Sequence, residues 1–371
     1  MRAVVCHDFG AWSVEDVDRP TPDANEVLLE IHRVQLSVTE CALFQGESIA
    51  HAESVAARLA EGPARLFGHE FCGTVVERGE NVDHLAVGDR VYAPGKIPCG
   101  ECSYCESGFK RYCPSKTYIG YDIPGALAEY TALPAEALRP VADSLSDAEV
   151  AALQPLASSV LCVRDSGIQS GDIVAVIGTG VMGYQCAQLA LAEGAERVFV
   201  TDVDPKKLDI AAERGLDPID ATGCDPVEEI TAHTNGVGAD VVFEAVGGDQ
   251  SHATDGSDPI AQAMGAVKAG GTVVQVGYII GDVTFSARAV RKKSVTWQNP
   301  VTGIAPTGPG RDTGDFAAEL VASGRVSISE YVTHERSGLD SFAEAVDITA
   351  NKADYGARGP AQIVVDSHTN L

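Results

Sequence analysis

Ile173-Val174-Ala175-Val176-Ile177 runs straight into Gly178-Thr179-Gly180-Val181-Met182-Gly183, and a helical pattern opens behind it at Tyr184-Gln185-Cys186-Ala187-Gln188-Leu189-Ala190. An unbroken apolar run of this length reads as a buried parallel strand. A G-x-G-x-x-G turn between such a strand and a helix is the dinucleotide-binding fingerprint. Gly178 serves the tight turn, Gly180 lets the backbone approach a pyrophosphate, and Gly183 lets helix and strand pack closely. The helix start at Val181 and Met182 presents free N–H groups to the phosphates. A second strand, Val198-Phe199-Val200-Thr201-Asp202, ends on an acid about 20 residues past the first glycine, where a ribose-binding carboxylate is expected.

Working outward, the alternation continues. Strands near 173–177, 198–202, 240–245 and 272–277 alternate with helices near 184–194, 205–214, 226–233 and 259–269. Such a βαβ series predicts a doubly wound parallel sheet. Two of its strands run into Val246-Gly247 and Val276-Gly277. Ligands bind at the carboxyl ends of such strands, so these four residues are expected to floor the nicotinamide site. Upstream, residues 1 to about 95 read as short strands and turns, with an alanine-rich helix at 48–62. Residues 125–133 return to strand, and 147–162 read as helical around Pro155. After about 302 the alternation stops; a loop at 302–310, a helix at 315–323 and a last strand at 361–365 close the chain.

The chain has 371 residues, enough for two domains, and 45% hydrophobic content supplies two cores. No apolar run reaches the ~18 residues a membrane span needs. The start of the chain is too polar for a secretory signal, so a soluble cytoplasmic protein is expected. The net charge is −26, from 53 acidic residues against 27 lysines and arginines. That excess opposes nucleic-acid binding, which needs a basic face. Self-repulsion on this scale calls for screening by salt, and scattered acids with few lysines read as a halophilic surface.

Ten cysteines are present, and Cys99, Cys102, Cys105 and Cys113 are spaced as C-x2-C-x2-C-x7-C. Four thiolates at this spacing can wrap one ion tetrahedrally, so a closed structural zinc site is expected. An iron–sulfur cluster also uses four cysteines, and the same four could form disulfides or pack as free thiols.

Gly68-His69-Glu70, Gly88-Asp89-Arg90-Val91, the four-cysteine lobe, residues 178–183 with Asp202, and Ser323-Gly324-Arg325 together carry a resemblance over nearly the whole length. The chain resembles the zinc-dependent medium-chain dehydrogenase/reductase family, the alcohol, polyol and sugar dehydrogenases. The resemblance implies an α/β fold: a β-rich, GroES-like catalytic domain (1–156, with the zinc lobe at about 96–116), a Rossmann domain (157–302) and a C-terminal return to the catalytic domain (303–371). It implies a reaction held between the domains, with NAD, a small-molecule substrate and a homo-oligomer, dimer or tetramer. It also implies a catalytic zinc that polarises the alcohol oxygen. His69 and Glu70 match the family's ligand motif. Ser37-Val38-Thr39-Glu40 stands where the family has Cys-Gly-Ser/Thr-Asp, so a serine replaces the first ligand. Gln154-Pro155-Leu156 stands where it has Glu-Pro-Leu, and Ala42 occupies the position of a relay histidine. Serine and glutamine are poor, neutral zinc ligands. Cys41, one helical turn past Ser37, is a candidate replacement thiolate, and Cys72 is another.

The expected activity is hydride transfer between NAD and a small alcohol, polyol or sugar. Thr39 would orient the substrate hydroxyl. His69 and Glu70 would be metal ligands or, without metal, the acid–base pair, and Gln154 would bond to metal, water or substrate. Asp202 is expected to favour NAD, and Lys207 matches the position that packs near the adenosine ribose. The rival readings are a zinc-independent reductase of an activated double bond or quinone, and a non-catalytic NAD-binding protein.

Overall fold

The change of period near residue 172 is a change of sheet type. The named strands before it pair antiparallel, and the strands of the sheet that follows, from Ile173 to Gln298, pair parallel. The computed structural model describes residues 1–250, 258–284, 286–300 and 303–365. It divides into two compact units. The first is Met1–Ser158 with Gly303–Gly324 and Ile328–Leu371, and the second is Ser159–Thr302 with Arg325–Ser327.

The first unit is built on a seven-stranded sheet whose spine is Glu26–Gln35. That strand pairs antiparallel with Glu70–Arg78 on one edge and with Gln362–Val364 on the other; Tyr130–Pro134 pairs with its first half. Gln35 lies opposite Glu70 and also opposite Gln362, so the register sets three polar side chains in one row across three strands. All three are buried, and residues directly opposite on neighbouring strands touch. The aliphatic face of the sheet packs into one core with Leu43, Phe44, Phe67 and Phe342.

The second unit is a six-stranded parallel sheet in the order Asp217–Asp220, Arg197–Asp202, Ile173–Ile177, Ala239–Glu244, Val267–Gln275, Thr296–Gln298. In chain order that is 3-2-1-4-5-6, the doubly wound arrangement with its switch point beside Ile173–Ile177. Val174, Ala175, Val176 and Ile177 are buried, as a strand covered on both faces must be. Among the described residues no helix is long and apolar enough to cross a membrane.

Three local boundaries differ from those expected. The helix expected over 48–62 is Ala52–Glu61, entered through a left-handed His51 and left at Gly62. The span 147–162 is two helices, Asp147–Ala151 and Leu153–Ser166. Pro155 sits in the first turn of the second, where its missing N–H costs no helical bond. Residues 125–129 are not a strand but carry one isolated bridge, Ala128 to Ala3; the strand itself begins at Tyr130.

Candidate active site

Ser37 caps the short helix Val38–Phe44 through a capping box. Its hydroxyl accepts the Glu40 N–H at 3.1 Å, and the Glu40 carboxylate accepts the Ser37 N–H at 3.2 Å. Ser37-x-x-Glu40 is the signature of that motif, so the sequence builds this turn locally. The box aims Glu40 inward. Its other oxygen accepts the N–H groups of Gly68 (2.6 Å) and His69 (3.2 Å) and lies 2.7 Å from Nδ1 of His69. Nε2 of His69 faces Glu70 at 3.7 Å. Glu70 in turn accepts a bond from the Gln35 amide at 2.5 Å, and Gln362 donates to Gln35 at 3.1 Å. The polar row across the sheet therefore ends on the histidine.

The electrostatics separate the three groups. Burial lowers the His69 pKa, but the charge and hydrogen bond of Glu40 overcome it and hold the imidazole up at about 9. Burial works to raise Glu40, yet the charge and bonds of His69 keep it below the usual carboxylate value. Burial raises Glu70 to about 7 against the opposing pull of His69 and Gln35. A pair of carboxylates pushed apart in this way marks an acid–base arrangement. With Nδ1–H donated to Glu40, Nε2 is the nitrogen free to exchange a proton. The His69 side chain keeps 20% exposure.

The residues around His69 do not fit a catalytic zinc. Ser37 brings no thiolate, and its oxygen is committed to the helix cap. Cys41 does not rescue the site: it is 1% exposed, packs in the hydrophobic core and bonds Thr349, and burial drives its thiol well up. The half-turn that aims Glu40 at His69 aims Cys41 away. Cys72 is also turned elsewhere, onto Asp147 at 3.4 Å, with its thiol pushed up by burial to about 12. Among the described residues, neither joins His69 and Glu70 in a group of three metal-ligating side chains. His69 and Glu70 remain, because Glu40 is spent on the Ser37, Gly68 and His69 N–H groups and on the imidazole itself; two ligands fall short of the three protein donors a catalytic zinc takes. Thr39 is half-buried in the first turn of the same helix, and Gln154 is half-buried in the first turn of Leu153–Ser166.

The four cysteines behave differently. Their sulfurs lie 3.5 Å (Cys102–Cys105), 3.5 Å (Cys99–Cys113), 3.8 Å (Cys102–Cys113) and 4.0 Å (Cys99–Cys105) apart. A tetrahedron with metal–sulfur bonds of about 2.3 Å requires edges of about 3.8 Å. These separations are far too long for disulfides. The lobe therefore has the dimensions of a closed four-thiolate zinc site.

In the second unit, Gly178 has φ +91° and opens the turn, and Gly180 caps the helix Val181–Ala192 without any side-chain bond, leaving its first N–H groups for a ligand. A Cβ on Gly183 would lie 1.9 Å from the Gly178 carbonyl oxygen, so helix and turn touch there; a Cβ on Gly180 would meet nothing within 4 Å. Asp202 does more than the sequence implied. Its carboxylate accepts the N–H groups of Thr179 (2.9 Å), Val203 (2.9 Å) and Asp204 (3.0 Å), and Lys207 stands 3.5 Å away. It braces the glycine turn and keeps roughly one of its four acceptor positions. Gly247 and Gly277 pack against one another: a Cβ on Gly277 would lie 2.4 Å from the Gly247 nitrogen. Val246 is half exposed and Val276 half-buried beside them.

Sequence reasoning passed over Glu40 as a site residue, although the capping-box spelling marks its direction. It also missed Tyr121, which hydrogen-bonds with Ser37 and lies 5.5 Å from the His69 ring, and the Gln35–Gln362 support. Those contacts depend on chain crossings that carry no local signal.

Comparison with known proteins agrees with this architecture. Residues 23–143 match the family model of the alcohol dehydrogenase GroES-like domain, and residues 180–308 match that of the zinc-binding dehydrogenases. D-xylulose reductase A of Aspergillus niger is 31% identical over 349 residues, covering 91% of this chain and 89% of that protein. The L-threonine 3-dehydrogenase of Bacillus licheniformis is 29% identical over 350 residues, covering 91% of each. Among solved structures, an NADP-bound zinc-binding dehydrogenase of Sinorhizobium meliloti superposes with a TM-score of 0.82 at 28% identity, over 98% of both chains. The alcohol dehydrogenase of Thermus sp. ATN1 gives 0.80 at 27%, over 99% of this chain and 100% of that one. The fold is a GroES-like unit joined to a Rossmann unit. The chain belongs to the zinc-dependent medium-chain dehydrogenase/reductase family and is an oxidoreductase acting on CH–OH groups. A nicotinamide dinucleotide and zinc are the groups this family assignment and the NADP-bound relative point to.

Proposed function

We propose that the chain is an NAD-linked dehydrogenase that interconverts the hydroxyl of a small alcohol, polyol or sugar with the matching carbonyl, its proton carried by His69. The Glu40–His69–Glu70 row is the observation that carries this reading. In oxidation, neutral His69 takes the hydroxyl proton at Nε2, and Glu40 stabilises the imidazolium through Nδ1–H. The bound nicotinamide ring supplies the acceptor for the hydride that leaves the carbinol carbon. The carbon–oxygen bond becomes a carbonyl, and the proton passes to water from the partly exposed ring. In reduction the imidazolium returns the proton to the carbonyl oxygen. Thr39 positions the hydroxyl, Gln154 bonds to substrate, and Glu70 tunes the ring from the Nε2 side.

Residues 178–183, Val246, Gly247, Val276 and Gly277 hold the dinucleotide, and Asp202 with Lys207 reads the adenosine ribose. The carboxylate favours NAD, because a 2′-phosphate would meet its charge in a partly desolvated site. Cys99, Cys102, Cys105 and Cys113 hold a structural zinc. The charge of −26 supports a salt-adapted surface, and the family resemblance supports a homo-oligomer.

The test is NADH formation with a panel of alcohols, polyols and sugars. Turnover of at least one CH–OH substrate is expected; none across the panel and the matching carbonyls would end this reading. The absence of a thiolate at residue 37 favours one other reading, reduction of an activated double bond, with His69 protonating carbon instead of oxygen. NADH consumption with enones but not with carbonyls would select it.

A further inference from the structure

Positive charge is scarce in this chain, yet it gathers in one place. A cavity of about 610 Å3 in the first unit is lined by six of the 27 lysines and arginines and by only three of the 53 acids. Two of those acids are occupied: Asp312 pairs with Arg139 at 2.6 Å, and Asp315 closes the capping box of Thr313–Ala322. Arg311 pairs with Glu319. Lys96, Lys110 and Lys116 have no carboxylate within ion-pair distance among the described residues. Lys110 is exposed, which is ordinary. Lys96 and Lys116 are half-buried, which is not.

The backbone brings those two together. Ile97 and Thr117 form an antiparallel bridge, with reciprocal bonds of 2.9 and 2.8 Å. Alternation then puts residues 96 and 98, 116 and 118 on one face. Lys96 stands 5.2 Å over the Tyr118 ring. Burial and the neighbouring Lys116 lower the Lys96 pKa to about 8, so the two ammonium groups repel one another. A run of packed rings connects Tyr118 with the proton-carrying histidine. Tyr118 packs on His51 (4.3 Å), His51 stacks on Tyr121 (4.5 Å), and Tyr121 touches His69 (5.5 Å).

We infer that the substrate carries an anionic group, a phosphate ester or a carboxylate, which Lys96 and Lys116 bind while its hydroxyl faces His69. The inference rests on the role proposed for His69. A bound anion supplies the missing counter-charge, satisfies both ammonium groups and relieves their repulsion. It also accounts for two half-buried lysines left without a paired carboxylate in a protein this acidic.

The experiment compares substrates that share a carbon skeleton: a polyol, its monophosphate and the corresponding hydroxy acid. They are assayed at fixed ionic strength with wild type and with the Lys96→Gln/Lys116→Gln double variant. Wild type is expected to favour a charged member by about tenfold or more in kcat/KM. The variant should lose most of that ratio through KM. The better charged member distinguishes phosphate from carboxylate. A wild type that prefers the neutral polyol, or a ratio unchanged in the variant, overturns the inference. A second readout needs no turnover. Inorganic phosphate, titrated against chloride at constant ionic strength, should raise the Tm of wild type more than that of the variant. Equal shifts overturn the inference even if no substrate is turned over, which would instead count against the dehydrogenase reading.

Discussion

A single carboxylate, Glu40, joins the helix cap to the histidine that carries the proton. Replacing it with glutamine keeps an oxygen for the Gly68 N–H but removes the charge that holds His69 up. The Glu40→Gln variant should titrate His69 lower by about one to three pH units. Histidine NMR, or the midpoint of the pH–rate curve, reads the shift, and an unmoved midpoint would show that Glu40 does not set the imidazole. Asp202 likewise has two duties. Asp202→Ser removes the charge facing a 2′-phosphate and one brace of the glycine turn. Stability should fall, while the NAD/NADP ratio of kcat/KM should move toward NADP by about tenfold. The ratio is the informative quantity, because a looser turn penalises both cofactors. A wild type that favours NADP would refute the role given to Asp202.

Elements were legible where one local pattern decides them. The parallel strands are short apolar runs, and the helix behind Gly183 is buried along most of its length. Asp217–Asp220 and Thr296–Gln298 escaped notice because edge strands present few buried residues to the pattern. The site was half legible. Gly68-His69-Glu70 and Ser37-x-x-Glu40 are written in the sequence, but the Gln362–Gln35–Glu70 row exists only through the register of three strands, with Gln362 lying 327 residues from Gln35. Cys41 misled for a related reason: helical spacing gives a face but not what that face meets. Two predictions belong at this scale. Gly183→Ala sets a methyl against a backbone oxygen that cannot yield, so it should cost at least about 2 kcal/mol and lower the Tm; a neutral variant would mean the turn is looser than described. Cys102→Ser should release one zinc per chain and lower stability without removing the hydride chemistry. Zinc retained at full stoichiometry in that variant would refute the four-thiolate site.

The whole molecule is strongly acidic while the wall formed by Lys96 and Lys116 is basic, so salt has opposite effects on fold and site. Raising salt from dilute buffer toward molar concentration shortens the screening length from tens of ångströms to about 3 Å. Thermal stability should rise over that range as self-repulsion is screened. A melting temperature highest in dilute buffer would contradict a salt-adapted surface. Recognition of an anionic substrate should weaken over the same range, so KM is expected to climb while the protein becomes more stable.

The central claim is that His69, held by Glu40, carries the proton of the reaction. The pH dependence of kcat/KM in both directions tests it most directly. Oxidation needs the neutral ring, so its rate should rise as pH passes through about 9; reduction needs the imidazolium, so its rate should fall through the same midpoint. Two limbs of opposite slope sharing that midpoint, and both moving to lower pH in Glu40→Gln, are the predicted result. Profiles flat between about pH 7 and 10, or limbs of the same slope, would contradict it.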